Sequence, residues 1–145
     1  MLQHQASVTV KKPVDQVFKF AGADYVQNHP KWDKKCVSTT LTSSGPLGAG
    51  STGHEVRKQG GRKQEFDFKV SEFVPNKKLA FETTSGPANF ASVMTFEGMG
   101  GETKVTMAAK LQLKGLMSLM APMIGGSFRK ELDASMAELK RLTEA

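Results

Sequence analysis

Few residues in this 145-residue chain have the type and spacing to do chemistry. Nucleophilic catalysis needs a Ser, Cys or Lys beside a base, and the imidazoles on offer are His4, His29 and His54, far apart in the sequence. His4 stands near the start of the chain, where solvation is the default. A metal site needs three or four ligands at workable spacing; with the histidines scattered and Cys36 the sole cysteine, neither a metal nor another cofactor is expected. The run Gly45-Pro46-Leu47-Gly48-Ala49-Gly50 lacks the Lys-Ser/Thr ending and the following helix of a phosphate-binding loop, so it reads as a turn.

The most informative stretch is 51–59. If Gly53, Glu55 and Arg57 face the interior, Gly53 leaves room for a ligand while Glu55 and Arg57 place an acid and a base in an apolar chamber. If His54, Val56 and Lys58 face inward instead, His54 is the polar handle. A third reading pairs Glu55 with Arg57 near a rim as a structural bridge. A second ambiguity lies at Met117, Met120 and Met123, close to Pro122 and Gly125-Gly126. Unbranched thioethers fill irregular cores, and the same coincidence of Met, Pro and Gly suits a deformable gate. Hydrogen exchange separates these two readings: a gate exchanges faster than the helix behind it.

The elements that position these residues follow from periodicity and turn chemistry. Ala6, Val8 and Val10 alternate with Ser7 and Thr9, giving a half-buried strand over 3–11. Pro13 and Asp15 open a short helix carrying Val14, Val17, Phe18 and Ala21 on one face, and a second segment over 25–33 is limited by Pro30 to two broken turns. Six strands then follow at 37–43, 51–59, 62–73, 77–85, 88–97 and 102–114, separated by turns at 45–50, Gly60-Gly61, Pro75-Asn76, Gly86-Pro87 and 98–101. Phe66, Phe68 and Val70 share one face of this meander with Leu79, Phe81, Phe90, Met94, Phe96, Val105 and Met107. From 116 to 143 the apolar period becomes helical, with a kink or break expected at Pro122 and Gly125-Gly126.

Composition excludes whole classes. With 39% hydrophobic and 23% charged residues the chain is neither disordered nor fibrous, and its length suits one domain, 1–145. No window approaches the run of about 18 apolar residues that a membrane span needs. The absence of a signal-like start and the lone cysteine point to the cytoplasm. The net charge of +6 comes mainly as scattered pairs without interleaved aromatics, so no nucleic-acid partner is expected and no stable membrane insertion.

The segments Lys12-Pro13-Val14-Asp15-Gln16-Val17-Phe18, Asn28-His29-Pro30-Lys31-Trp32-Asp33, Gly45-Pro46-Leu47-Gly48-Ala49-Gly50 and Phe73-Val74-Pro75-Asn76-Lys77-Lys78-Leu79-Ala80-Phe81 occur in an order and spacing that span nearly the whole chain. In this the sequence resembles the START-like (SRPBCC) superfamily, and within it the polyketide cyclase/dehydrase and lipid-transport family. The resemblance implies an α+β helix-grip fold: a curved antiparallel seven-stranded sheet wrapped around a long C-terminal helix, with two short helices between strands one and two. It also implies a cavity for a small hydrophobic ligand such as a lipid, sterol, polyketide, quinone or aromatic hormone, and it makes Gly53, Glu55, Arg57, Phe66, Phe68, Phe81, Phe90, Met94, Met107, Met120 and Met123 the candidate ligand contacts. It favours the phase with Gly53 inward, where relatives usually carry a large aromatic, and treats His29 as a packing residue. The leading expectation is a carrier or sequestering protein. The alternative is a cyclase/dehydrase-type enzyme in which Glu55, or else His54, moves a proton on a carbonyl substrate. A third class is a partner-binding module, such as the relatives that act on ribosomes, co-chaperones or membranes, engaging its partner through Arg57, Lys58, Arg62 and Lys63.

Overall fold

Stretches in which apolar and polar residues alternate form the strands of the computed structural model, which describes residues 1–59 and 61–145. They are β1 (Leu2–Val10), β2 (Cys36–Leu41), β3 (Thr52–Gln59), β4 (Arg62–Val74), β5 (Lys78–Ser85), β6 (Ala88–Met99) and β7 (Glu102–Leu113). The order β1-β7-β6-β5-β4-β3-β2 is a meander of consecutive antiparallel hairpins, with β1 added against β7 at the far edge. Of the turn expected at Gly60-Gly61, Gly60 lies outside the described residues. Gly61 has φ +80°, a conformation that costs glycine nothing, and Gln59 pairs with Arg62 across the turn. Register shifts at Asp67/Phe68 and Val70/Glu72 between β4 and β5, and at Cys36/Ser38 between β2 and β3, bend the strands and curve the sheet.

Two short helices connect β1 to β2: α1 (Val14–Phe18) and α2 (Tyr25–Trp32), joined by one π-helical turn at Lys19–Ala23. α2 is continuous rather than broken, because Pro30 falls in its last turn and forgoes only one backbone hydrogen bond. The core closes between these helices, the concave face of the sheet and the long C-terminal helix α3 (Ala121–Glu144). Phe18 meets Phe73 and Phe96 edge-on at 5.4 and 5.0 Å, and Leu132, Met136 and Leu139 of α3 are buried. At 1.5 Å per residue α3 is ~36 Å long, enough to cross the sheet. Its far end is pinned just past the end of β1, since Glu144 accepts from the Lys11 N–H at 2.7 Å. His4, expected to be merely solvated, bonds Asp133 of α3 at 2.8 Å.

The break in the C-terminal segment occurs earlier than the sequence suggests. Residues Gly115–Met120 form a 3-10 turn, and α3 starts at Ala121. Pro122 therefore sits in the first helical turn, where its missing N–H has no partner to lose, and it starts a helix instead of kinking one. Gly125 continues the helix beneath Leu2, whose side chain would lie 3.3 Å from a Cβ placed there.

Candidate functional site

Between the sheet and the C-terminal segment lies a cavity of about 530 Å³. Phe66 and Phe68 of β4, Phe81 of β5, Phe90 of β6 and Met107 of β7 form one wall; Met120, Met123, Ile124, Phe128 and Leu132 form the other. The pleat fixes which side of each strand faces this space, and β3 presents Gly53, Glu55 and Arg57 inward while His54 lies on the outer face. There His54 is held by Asp67 at 2.8 Å and Glu65 at 2.9 Å, both from β4, and takes no part in the cavity.

Two candidates do not reach the cavity. Gly53 faces inward, but the room left by its missing side chain is taken by Phe68: a Cβ at this position would come within 2.8 Å of three carbons of that ring. The space left by the missing side chain on β3 is filled from β4. Gly53→Ala should thus cost ~1–3 kcal/mol in urea unfolding through overpacking, and adding Phe68→Leu should recover most of it. Met94 faces the same side of the sheet as Met107, its partner on β7, yet it is fully buried in the core and lines no space. Alternation gives the face of a strand, not the point along it at which the covering helix closes down.

The polar end of the cavity is more elaborate than a Glu55–Arg57 bridge. Tyr25, His29, Trp32 and Asp33 follow one another at i, i+4, i+7 and i+8, so α2 and its C-terminal cap turn all four toward β3, where they line the cavity with Glu55 and Arg57. The Arg57 guanidinium donates to Asp33 at 2.7 Å and to Glu55 at 2.9 Å. His29 Nε2 lies 3.1 Å from Asp33, while its Nδ1 lies 3.0 Å from the Thr39 hydroxyl and 3.4 Å from Glu55. Asp33 also accepts the Lys35 N–H at 3.2 Å, fixing the link from α2 to β2. All four charged side chains are largely buried, Arg57 the least so at 19% exposure. The expected rim bridge is therefore an interior network, and Arg57 is not free for a surface partner.

The electrostatics follow from this pairing. Burial alone would push the His29 imidazole down, but its hydrogen bond to Asp33, contact with Cys36 and the nearby Glu55 raise it to about 10. Burial works against the Asp33 carboxylate as well, and the His29 hydrogen bond and Arg57 charge override it, holding Asp33 well below the usual carboxylate range. Two cations thus face two acidic side chains. Burial and then the Glu55 and Asp33 charges raise the Tyr25 phenol well above its ordinary value, so Tyr25 is a hydrogen-bond donor at neutral pH. It stacks on His29 with ring centroids 4.6 Å apart.

Among the described residues that donor has no acceptor. The Tyr25 hydroxyl and the Trp32 indole N–H are buried with no hydrogen-bond partner there, a situation that costs about 1–3 kcal/mol per group. Both residues line the cavity. His29 Nδ1, Cys36 Sγ and a Glu55 oxygen lie within 4.8 Å of one another, but a metal there would have to displace a proton from His29. Sequence reasoning passed over Tyr25, Trp32 and Asp33 and assigned His29 to packing; the signal was the spacing of the four on one helical face.

A family model described as polyketide cyclase / dehydrase and lipid transport matches residues 1–144. No curated protein matches the sequence. Among solved structures, the Zhui aromatase/cyclase from Streptomyces sp. R1128 is 12% identical with a TM-score of 0.82, covering 98% of this chain and 93% of its own. A protein from Thermus thermophilus is 14% identical with a TM-score of 0.81, covering 97% and 96%. A START superfamily protein from Mycobacterium smegmatis is also 14% identical, with a TM-score of 0.75 and coverage of 97% and 98%. At such identities the likeness is one of fold: the helix-grip architecture is shared.

Proposed function

Because the chain belongs to the polyketide cyclase/dehydrase and lipid transport family, we propose that it binds one small, mainly apolar molecule with an oxygen acceptor at its buried end, and carries or sequesters it. The observation that supports this reading most directly is a largely apolar cavity whose charged groups at one end pair with one another, while the Tyr25 hydroxyl and Trp32 N–H of the same end have no partner among the described residues. A ligand oxygen that reaches either donor satisfies it, and each 100 Å² of apolar ligand surface removed from water contributes ~2.5 kcal/mol before association costs. We read 1–145 as a single domain, because the sheet and α3 enclose the cavity between them. We place the carrier in the cytoplasm, in keeping with its reduced, buried Cys36.

Native mass spectrometry of protein purified gently from its own host, followed by organic extraction, tests the reading. A stoichiometric carbonyl- or hydroxyl-bearing apolar molecule is the expected result. An empty protein that gains no thermal stability from a broad hydrophobic library would count against carriage. Tyr25→Phe refines the test: it should leave the stability of the empty protein unchanged or slightly higher, since it removes an unsatisfied group, and weaken the extracted molecule's binding ~5–10-fold.

The second reading is a cyclase/dehydrase-type enzyme, favoured by the convergence of Glu55, Arg57 and the Tyr25 donor at one end of the cavity. Glu55 would then move a proton from carbon on a carbonyl substrate while the donors hold the developing oxyanion. Glu55→Gln separates the two readings: turnover vanishes in an enzyme, while the affinity of a folded carrier changes little.

A further inference from the structure

Of the large apolar side chains that stand in solvent, Leu116, Leu119, Met120 and Met123 occur within eight consecutive residues, exposed by 85, 79, 46 and 76%. They lie on the 3-10 turn and the first turn of α3, and Met1, 75% exposed, shares a shallow crevice with Ser118 and Ala121 beside them. The same short segment covers the cavity, since Met117, Met120 and Met123 line it. One flap therefore has an apolar side toward the ligand space and an apolar side toward solvent. Such a contiguous patch marks an interaction surface.

The charge around the flap says which kind. Residues 115–128 carry no charge at all, while Lys110 and Lys114 precede them and Arg129 and Lys130 follow. Over 103–130 there are five Lys or Arg and no Asp or Glu, so this stretch holds five of the six net positive charges of the chain. An apolar tip flanked along the chain by cations on both sides is complementary to a bilayer with anionic head groups, where the tip sits at the acyl boundary and the cations meet phosphate. No helix among the described residues is long and apolar enough to cross a membrane, which makes this a docking surface and not an anchor.

We propose that the flap formed by residues 115–124 docks on an anionic lipid surface, turning the cavity mouth toward the bilayer. This goes beyond the carrier reading and does not need the cavity to be occupied. The test is co-sedimentation with vesicles of phosphatidylcholine, with and without phosphatidylglycerol. Binding at least roughly tenfold stronger to the anionic vesicles is expected, weakened roughly tenfold by Lys110→Gln with Lys114→Gln, and abolished by Leu116→Ser with Leu119→Ser. Both serine substitutions are at exposed positions outside the cavity wall, so the variant should keep the wild-type circular dichroism. A tryptophan placed by Leu119→Trp should shift its emission to the blue on anionic vesicles only. Failure to sediment, or sedimentation unaffected by the serine substitutions, overturns the proposal. A concentration-dependent dimer lost in the serine variant, without vesicle binding, overturns it in favour of a second copy of this chain. Vesicle binding by a protein that is empty and gains no thermal stability from a hydrophobic library would leave docking standing and count only against the carrier reading.

Discussion

Asp33→Ala is expected to lower folding stability by about 3–5 kcal/mol, more than any other substitution at the polar end of the cavity. Asp33 is the hinge of the network: its carboxylate lies 2.7 Å from Arg57 and 3.1 Å from His29 and also accepts the Lys35 N–H. Removing it leaves two buried cations with only Glu55 between them, and the cost is that of stranded charge more than of lost attraction. Asp33→Asn should therefore be nearly as damaging, because an amide fills the space without supplying the charge. Asp33→Leu combined with Arg57→Met should recover much of the loss by removing a mismatched cation along with its partner. Urea unfolding followed by Trp32 emission reads the effect where it arises, since that ring is 4.9 Å from His29. If Asp33→Ala stays within about 1 kcal/mol of the wild type, the network is not what holds α2 against β3.

Alkaline pH should destabilise the protein from about pH 6.5 upward. The His29 imidazole rises from 6.5 in the unfolded chain to about 10 in the fold, so its contribution is fully present below pH 6.5 and is lost as pH climbs toward 10. Over that interval the native state holds a proton that the unfolded chain has released, and stability falls by ~1.4 kcal/mol per pH unit. At the acid end the sign reverses: Asp33, held below its ordinary 3.8, contributes above that value and loses its contribution as pH falls through the native value. Maximum stability is expected between about pH 4 and 6.5. Two other groups are raised in the fold without setting this window. Tyr25, raised above 10, adds to the loss only beyond pH 10, and the exposed His54, raised by Asp67 and Glu65, is discounted by solvent screening. A series of Tm values from pH 5 to pH 10 should accordingly show a steep alkaline limb in the wild type and in His54→Asn, and a shallow one in His29→Asn. An equally steep limb in His29→Asn would remove His29 as the cause.

The two effects have a common origin in a cluster that no single segment encodes. Thr39 and Glu55 are partners across β2 and β3, and Cys36 is the partner of Arg57, so the hairpin brings a hydroxyl, a thiol, an acid and a base to one spot. α2 then lowers His29 and Asp33 onto them. Removing any one contributor exposes the others to an uncompensated low-dielectric setting, which is why mutational effects here should be large and non-additive.

Local physics made most of the architecture legible in the sequence. The period-two alternation of Phe66, Phe68 and Val70 gave the face of β4, the glycine and proline turns gave the hairpins, and the helical period after residue 116 gave the cover. The inward phase of Gly53, Glu55 and Arg57 was one of two open readings, and the alternating burial along β3 has that phase. What the sequence did not carry is how far along each strand the helix stays in contact. That distance makes Met107 a cavity wall and its neighbour Met94 solid core. Nor did it carry the Phe68 ring over Gly53, the start of α3 before Pro122, or the conversion of His29 from a packing residue into a buried imidazolium. Periodicity and turn propensity act over a few residues, so a chain determines its strands, faces and hairpins by itself. The packing of α2 against β3 and the space left under α3 depend on contacts between residues far apart in sequence, and only the tertiary structure decides them.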